Sequence, residues 1–330
     1  MKTHTLFLGC FLPLFSWLAA VPAGAAVEPV APTVKLATLR EAHEAELIVA
    51  AALKIPRERR IAFVSGYFLG RVYPQSTKKR IKQERTKPVT KAEATNPLPL
   101  PIERLTTSLT QLDCMTYVEH VLALASCHEP RYSCFLDRLI DVMFDAGGGP
   151  LLNHLRCHFT SHWADTNERK GYLVNVARGH PLAKQRAVWL NKVGNNRTFF
   201  TEDRFLIATA PQIVDFFPRD VVLQKRAPLA NGDVIALACD KEGLDVTHMA
   251  FVIVRNGETL MRHASYTKER IIEEDLFAYI NEKKTVTGLM VLRPVLQAPV
   301  PPAYRYVVAT PKAKAKPRGR GKRRTSGKRK

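Results

Sequence analysis

The chain is short of acidic residues. It has 30 Asp and Glu against 50 Lys and Arg, for a formal net charge of +20 at pH 7. The deficit is greatest from Lys312 to Lys330, a stretch with six Lys, five Arg and no acidic residue. Removing those eleven charges lowers the net charge to +9. The basic excess therefore belongs largely to one end of the chain.

This basic end also lacks the residues that build a core, because Ala, Pro and Gly make up most of what is not charged. Such a composition predicts a basic disordered tail over residues 301–330. We expect its partner to be a polyanion: an anionic wall polymer or a membrane surface, with lipopolysaccharide and nucleic acid as alternatives. A basic tail binds phosphate without discriminating bases, which excludes sequence-specific reading of nucleic acid by this segment.

The chain also lacks an apolar run long enough for a confident membrane span. Lys2 precedes an apolar run from Leu6 to Ala20, and small residues then offer a cleavage site after Ala25 or Ala26. The run is too short for a confident membrane span and is typical of a signal peptide. We expect residues 1–26 to be a signal peptide, with no transmembrane span after its removal. A retained N-terminal anchor is the alternative.

Cysteine is scarce, at six residues. An exported chain meets an oxidising compartment, which makes five of them candidates for disulfides: Cys114, Cys127, Cys134, Cys157 and Cys239. Because five is odd, at least one stays unpaired within the monomer. If Cys114 is the free one, the others allow three pairings, of which Cys127 with Cys134 closes the shortest loop.

Apolar spacing predicts helices in the first half of the chain, over residues 36–53, 57–69 and 134–144, and one whose first turn holds Asp113 and Cys114. Asp113 is expected to cap that helix. Residues 75–101 are basic, rich in proline and without either period, so an exposed insertion is predicted at 77–97. Residues 156–191 show no clear period.

Short strands are predicted beyond Pro228, over residues 234–238, 248–254, 259–264 and 288–295. The two middle strands join across Asn256-Gly257, a pair that favours a tight hairpin. Helices followed by an antiparallel sheet predict an α+β fold rather than a doubly wound one. The chain length suits one main catalytic domain, which we place at residues 27–300.

Three residues form a pattern typical of a cysteine nucleophile with its base. Cys114 lies at a predicted helix N-terminus, where free backbone N–H groups favour a thiolate. His248 begins one strand and His263 ends the next, so the hairpin can bring both imidazoles to one end of the sheet. Taken singly, an exported cysteine is more often in a disulfide, and a strand histidine more often serves packing.

Three segments carry a family resemblance: LDCMTYVEHVLALA from Leu112, NGDVIALACDKEGLDVTHMAFVIV from Asn231 and LMRHAS from Leu260. They resemble the nucleophile helix, the turn into the sheet, and the base and orienting strands of NlpC-type papain-like cell-wall hydrolases. Within that group the chain is most similar to the N-acetylmuramoyl-L-alanine amidase-like branch, over residues 36–294. The basic insertion and the tail are extra to the family pattern.

The resemblance implies a papain-like α+β fold with the nucleophile at a helix N-terminus packed on an antiparallel sheet. It implies Cys114 as nucleophile, His248 as general base and His263 as the third polar residue. It also implies a cleft that binds peptidoglycan or muropeptides, and a place in the periplasm or cell envelope of a bacterium.

A zinc site is the strongest rival for the chemistry, because His154, His158 and His162 are spaced by four. A hydrolytic zinc site also needs an acid or base near the metal, and the chain has no HExxH motif. We therefore expect no metal and no organic cofactor. His158, Trp163 and Asn167 are expected to line the cleft and bind substrate, with ordinary packing as the alternative.

The sequence thus predicts an exported cysteine amidase or peptidase that acts on cell-wall peptide. The bond between muramic acid and L-alanine is the first choice, and the γ-D-glutamyl-diaminopimelate bond is the second. A catalytically dormant protein that binds wall or another polyanion is the alternative of a different class.

Overall fold

The computed structural model describes residues 33–35, 39–74, 105–147, 155–194, 197–198, 209–301 and 307–308. The predicted signal peptide at 1–26 and the basic insertion at 77–97 lie outside the described residues. So does the predicted tail, apart from residues 301, 307 and 308. The three segments that the sequence sets apart from the domain therefore stay predictions.

Helices dominate up to residue 169, and two short helices follow among the later strands. Their bounds are α1 Leu39–Ala52, a 3₁₀ turn Arg57–Arg59, α2 Arg60–Gly66, α3 Cys114–Ser126, α4 Tyr132–Met143, α5 Thr160–Arg169, α6 Arg219–Leu223 and α7 Leu276–Glu282. Helix α1 buries Ala45, Ile48, Val49 and Ala52, which recur three and four residues apart and so form one apolar face. None of the helices within the described ranges combines the length and apolar character needed to cross a membrane.

The strands are β1 Thr33–Lys35, β2 Leu105–Thr106, β3 Leu173–Asn175, β4 Lys184–Leu190, β5 Lys192–Val193, β6 Arg197–Thr198, β7 Ala210–Pro218, β8 Val234–Ala238, β9 Val246–Arg255, β10 Glu258–Ser265, β11 Arg270–Asp275, β12 Gly288–Pro294 and β13 Val307–Val308. An eight-stranded sheet runs in the order β11-β10-β9-β8-β12-β7-β4, with β3 also paired to β12. All its pairings are antiparallel. Strands β13, β1 and β2 form a small parallel sheet.

Helix α3 lies at the centre of the core. It contacts α1, α2 and α4, and it packs against β9 and β10 of the large sheet. Every residue from Tyr117 to Ala125 is buried, as expected for a helix that is covered on all sides. Burying a side chain such as Leu122 contributes roughly 1.5–3 kcal/mol to the free energy of folding. Because such side chains occur along the whole of α3, the packing of the entire helix fixes the position of its N-terminus.

The β9–β10 hairpin turns on two residues with positive φ, Asn256 at 52° and Gly257 at 80°. Both angles suit a two-residue turn whose twist matches the strands it joins. The turn pairs Arg255 with Glu258, and pairing continues to Phe251 with Arg262. A hairpin this regular brings the far ends of β9 and β10 together, which are the ends that hold His248 and His263.

The predicted α+β arrangement is confirmed, with helices first and an antiparallel sheet after them. Helices α1, α3 and α4 and strands β8, β9, β10 and β12 begin and end within a few residues of the predicted bounds. Strands β4, β7 and β11 and helix α5 were not predicted. Strand β7 carries a charge and two prolines in nine residues, which weakens its apolar pattern.

Candidate active site

Cys114 is the first residue of α3, and Asp113 caps the helix as predicted. The Thr116 backbone N–H donates to Asp113 Oδ1 at 2.8 Å, and the Asp113 N–H donates to Thr116 Oγ1 at 2.9 Å. This reciprocal capping box satisfies two backbone donors at the helix start. It holds the backbone around Cys114 in one conformation.

The Cys114 side chain is half-buried and lies beside the start of β9, where the backbone N–H of Met249 hydrogen-bonds it. Burial, and then the neighbouring charge of Asp113, raises the pKa of the Cys114 thiol to about 12. Backbone N–H groups of Met249 and Met115 lower the pKa, but by less. The backbone N–H groups at the helix start thus favour the thiolate as expected, but desolvation outweighs them in the resting protein.

His248, His263 and Glu274 form a line of hydrogen bonds across three neighbouring strands. His248 Nε2 lies 2.7 Å from His263 Nδ1, and His263 Nε2 lies 2.8 Å from Glu274 Oε2. The two imidazole rings meet edge to face, with centroids 4.8 Å apart and planes at 89°. His248 bonds His263 through Nε2, so its other ring nitrogen, Nδ1, takes no part in that hydrogen bond.

Both imidazoles are held in the neutral form. Burial, and then the neighbouring His263, lowers the pKa of His248 to about 3. Burial also lowers the pKa of His263, and the Glu274 carboxylate opposes that shift. At neutral pH the site therefore contains a thiol and a neutral imidazole, the two groups that a proton transfer from sulfur to nitrogen requires.

Tyr279 on α7 completes this side of the site. Its ring meets the His263 ring edge to face, at 5.6 Å between centroids. Burial, and then the charge of Glu274, raises the pKa of the Tyr279 phenol, and an ionised Cys114 raises it as well. The phenol is therefore within electrostatic reach of both groups.

Sequence reasoning missed Glu274 and Tyr279. Glu274 has no clear local signal, because IIEED lacks the period-2 alternation of a half-buried strand and its place near His263 depends on the register of β11 with β10. Tyr279 has none either, since its place depends on how α7 packs.

The other predicted site residues are not gathered at Cys114. Trp163 is fully buried, and so is Asn167, whose amide donates to the carbonyls of Val142 at 3.0 Å and Trp163 at 2.9 Å. The reason is that this face of α5 packs against α4 and β3. Neither side chain meets solvent in the described structure, which agrees with the packing alternative.

His158 has a different setting, half-buried and two residues before α5. The N–H of Ser161 donates to Asp245 Oδ2 at 2.6 Å, and Asp245 directly precedes β9. The start of α5 is thereby tied to the end of β9 that carries His248. His158 lies on that side of the domain.

The alternative zinc site has no support within the described ranges, where no group of three or more His, Cys, Asp and Glu side chains could hold a metal ion. His158 and His162 are described, whereas His154 lies outside the described residues. The prediction that no metal is needed stays a prediction.

The five described cysteines are all thiols. Cys127 follows the last residue of α3, and its thiol is hydrogen-bonded to that of Cys134 on α4. Cys127 and His128 also line a cavity of about 570 Å³, together with Arg57, Arg60 and Arg138. This cavity is at the other end of α3 from Cys114.

Comparisons with known proteins agree with this architecture. The crystal structure of a protein from Legionella pneumophila superposes with a TM-score of 0.59 at 18% identity, covering 81% of this chain and 98% of that one. An N-acetylmuramoyl-L-alanine amidase from Bacteroides uniformis superposes with a TM-score of 0.54 at 20% identity, covering 72% of this chain and 99% of that one. At these identities the likeness shows the fold alone. A search of curated proteins finds none that matches.

The family profile gives the stronger result. The AmiA-like profile, described as N-acetylmuramoyl-L-alanine amidase-like, matches residues 64–287. The matched stretch contains the helix that begins at Cys114, together with His248, His263 and Glu274. It covers more than half of the chain, so this protein belongs to the N-acetylmuramoyl-L-alanine amidase-like family.

Proposed function

We propose that this chain is an exported cysteine hydrolase that cleaves the amide between N-acetylmuramic acid and L-alanine in peptidoglycan. The observation that carries the proposal is the placement of Cys114 at the start of α3, against the β9 end where His248 is bonded to His263. A nucleophile, a base and an orienting group in this order are what covalent amide hydrolysis requires. The papain-like assignment of the fold is part of the same proposal.

The reaction begins when Cys114 Sγ attacks the amide carbonyl as His248 takes the thiol proton. Because burial raises the pKa of the Cys114 thiol, the protonated thiol is the resting form and His248 has to take its proton for the attack. The backbone N–H groups of Cys114 and Met115, which the capping box does not use, donate to the oxyanion that forms. His248 then gives its proton to the leaving amine, which leaves a thioester on Cys114.

Water completes the cycle. His248, neutral again, takes a proton from water, and the resulting hydroxide attacks the thioester carbonyl. The carbon–sulfur bond breaks, the sulfur recovers the proton from His248, and a carboxylic acid is released. His263 keeps the His248 ring in one orientation throughout, and no metal or organic cofactor takes part.

The choice of bond follows from membership of the N-acetylmuramoyl-L-alanine amidase-like family and from the likeness to the Bacteroides uniformis amidase. Mass spectrometry of digested peptidoglycan tests it, because the new ends identify the bond. Free muramic acid carboxylates and N-terminal L-alanine are expected. N-terminal diaminopimelate would instead establish the γ-D-glutamyl-diaminopimelate endopeptidase, and no release by a protein with an intact Cys114 thiol would support the dormant binding protein.

The absence of a metal step is tested separately. Digestion in the presence of a strong chelator should proceed at the same rate, since neither thiol nor imidazole needs an ion. Loss of activity that zinc restores would contradict the thiol mechanism.

The substrate is proposed to run past the start of α5, where His158 is a candidate contact. Trp163 and Asn167 are buried and do not reach this surface. Replacing His158 with Ala should raise KM by several-fold and change kcat little, and His162→Ala is the matched control on the same segment. Equal KM values for both variants would remove His158 from the substrate site.

Export and the tail are proposals from the sequence. Residues 1–26 fused to a reporter that folds only outside the cytoplasm should yield active reporter in the periplasm. Deleting residues 312–330, which carry eleven positive charges, should weaken pelleting with isolated cell wall and reduce its salt dependence. Unchanged pelleting would contradict the anchoring role.

A further inference from the structure

We infer that Glu274 is a positioning residue that sets the tautomers of both histidines, so that His248 presents the unprotonated Nδ1 to Cys114. The inference rests on the proposed function, because it assigns the direction of proton flow within that site. It starts from two distances, 2.7 Å from His248 Nε2 to His263 Nδ1 and 2.8 Å from His263 Nε2 to Glu274 Oε2.

A pair of neutral imidazoles leaves the direction of its hydrogen bond open. Only one proton lies between His248 Nε2 and His263 Nδ1, and either nitrogen can carry it. If His263 carried it, His248 would be protonated at Nδ1 and could not accept a proton from Cys114. A histidine in the orienting position is therefore insufficient to define the base.

The Glu274 carboxylate removes this ambiguity. An ionised carboxylate only accepts hydrogen bonds, so His263 Nε2 must carry the proton of the 2.8 Å contact. Neutral His263 then has a bare Nδ1, which accepts from His248 Nε2–H. His248 in turn has a bare Nδ1, and this is the nitrogen that can take the thiol proton.

The strand register makes Glu274 available for this purpose. His263 pairs with Ile272 and Met261 pairs with Glu274, so Glu274 lies diagonal to His263 on the same face of the sheet. Its neighbour Glu273 faces the other way and pairs with Arg255 and Arg262. Within the described ranges, the Glu274 side chain hydrogen-bonds only His263.

The same carboxylate supports the charge that forms during the attack. Once His248 Nδ1 takes the thiol proton, the ring is a cation that still donates through Nε2 to His263. The negative charge of Glu274 strengthens that bond through the polarised His263 ring. No proton has to reach Glu274, so its role is to orient and to stabilise.

Nitrogen-15 NMR of the imidazoles tests the inference without any substrate. In the wild-type protein at pH 7, His248 and His263 should both show the Nε2–H tautomer. Glu274→Ala should convert a large part of the population to Nδ1–H at His248. Glu282→Gln, an exposed acid on α7 with 75% of its side chain accessible, is the matched control and should change nothing.

Alkylation of Cys114 by iodoacetamide gives a second readout. By analogy with the loss on removing the carboxylate partner of a metal-bound histidine, Glu274→Ala should slow it about 10- to 100-fold at pH 7, and Glu274→Asp should recover part of the rate. The groups that face His263 are His248 from β9, Glu274 from β11 and Tyr279 from α7. Because Glu274 opposes the lowering of the His263 pKa, its removal should also move the acid limb of the rate to lower pH.

Failure of the inference and failure of the proposed function give different results. An Nδ1–H tautomer at His248 in the wild type, or unchanged tautomers and alkylation in Glu274→Ala, would overturn the role of Glu274 even if peptidoglycan is cleaved. The expected tautomers with no cleavage of any muropeptide would uphold the role of Glu274 and overturn the proposed function.

Discussion

The two ends of α3 each carry a cysteine, yet the two thiols have different neighbours. Cys114 is the first residue of this 13-residue helix, and Cys127 follows the last, about 20 Å away. At the first end the partners are backbone N–H groups and the strand that holds His248. At the second end the partner of Cys127 is the thiol of Cys134.

The thiol with the lowest pKa is not the one that we propose as the nucleophile. Burial raises the pKa of Cys114 to about 12 and that of Cys127 well above its ordinary value. The hydrogen bond from Cys127 lowers the pKa of Cys134 to about 6, which makes Cys134 the more acidic thiol. Each end also has an imidazole nearby, since His128 Nδ1 lies 3.7 Å from the Cys134 sulfur and Cys114 lies against β9, the strand of His248. What sets the first end apart is that its imidazole is bonded to a second one and, through it, to Glu274. We therefore assign the nucleophile from this hydrogen-bonded arrangement and not from the resting pKa of the thiol.

Removing each cysteine gives the largest expected contrast. Cys114→Ala should reduce muropeptide release by at least about 10⁴-fold, as loss of a covalent nucleophile does in other triads. Cys127→Ala should stay within a few-fold of wild type, because it removes no reacting group. Release is measured by chromatography of digested peptidoglycan, and a similar loss in both variants would end the distinction between the two ends.

The histidines at the two ends provide the next contrast. His248→Ala should lower kcat by about 10²- to 10⁴-fold, the range for loss of a general base. His128→Ala removes the imidazole that lies 3.7 Å from the Cys134 sulfur and should leave kcat unchanged. A comparable loss in His128→Ala would mean that the second end takes part in the reaction.

The pH profile tests the neutral state of the imidazoles. A base is active above its pKa and is lost as the pH falls through it, and the pKa of His248 is lowered from 6.5 to about 3. The acid limb of kcat/KM should therefore lie well below pH 6.5, and the plateau should continue upward because the thiol pKa is raised. Initial rates across pH 4 to 9 check this, and a midpoint near 6.5 would contradict it.

Oxidation should act at the second end and spare the first. Oxidised glutathione is expected to convert the Cys127 and Cys134 thiols to a disulfide while two glutathione thiols are formed, leaving Cys114 reduced. Closing this short loop should raise the free energy of unfolding by about 2.5 kcal/mol. Peptide mapping without reduction and denaturant unfolding measure both effects, and Cys134→Ser is the control that should gain no stability.

The smallest expected effect concerns the cap at the first end. Asp113→Ala removes the acceptor for the Thr116 N–H and should lower the free energy of unfolding by about 0.5–2 kcal/mol. It also removes a negative charge beside Cys114, so the thiol pKa should fall. Urea unfolding and the pH dependence of alkylation measure the two outcomes, and Asp113→Asn, which keeps a cap but loses the charge, separates them.

The positions of Cys114, His248 and His263 could be predicted because each depends on local pattern. The apolar spacing after Cys114, the cap at Asp113 and the Asn256-Gly257 turn all act over a few residues. Strand β11 could not be found in this way, since its residues gain their pattern only against β10. Helix α5 could not be predicted for the same reason, and its Trp163 and Asn167, expected to line the cleft with packing as the alternative, are buried.

By itself, the amino-acid sequence determined where the helices and hairpin form, because capping, periodicity and turn geometry are decided within one segment. Only the tertiary structure decided the chemical state of the site. Burial against β9 raises the Cys114 pKa by more than the backbone N–H groups at the helix terminus lower it. The register of β10 with β11 places Glu274 next to His263. Desolvation and cross-strand contact depend on distant residues, so no local pattern contains them.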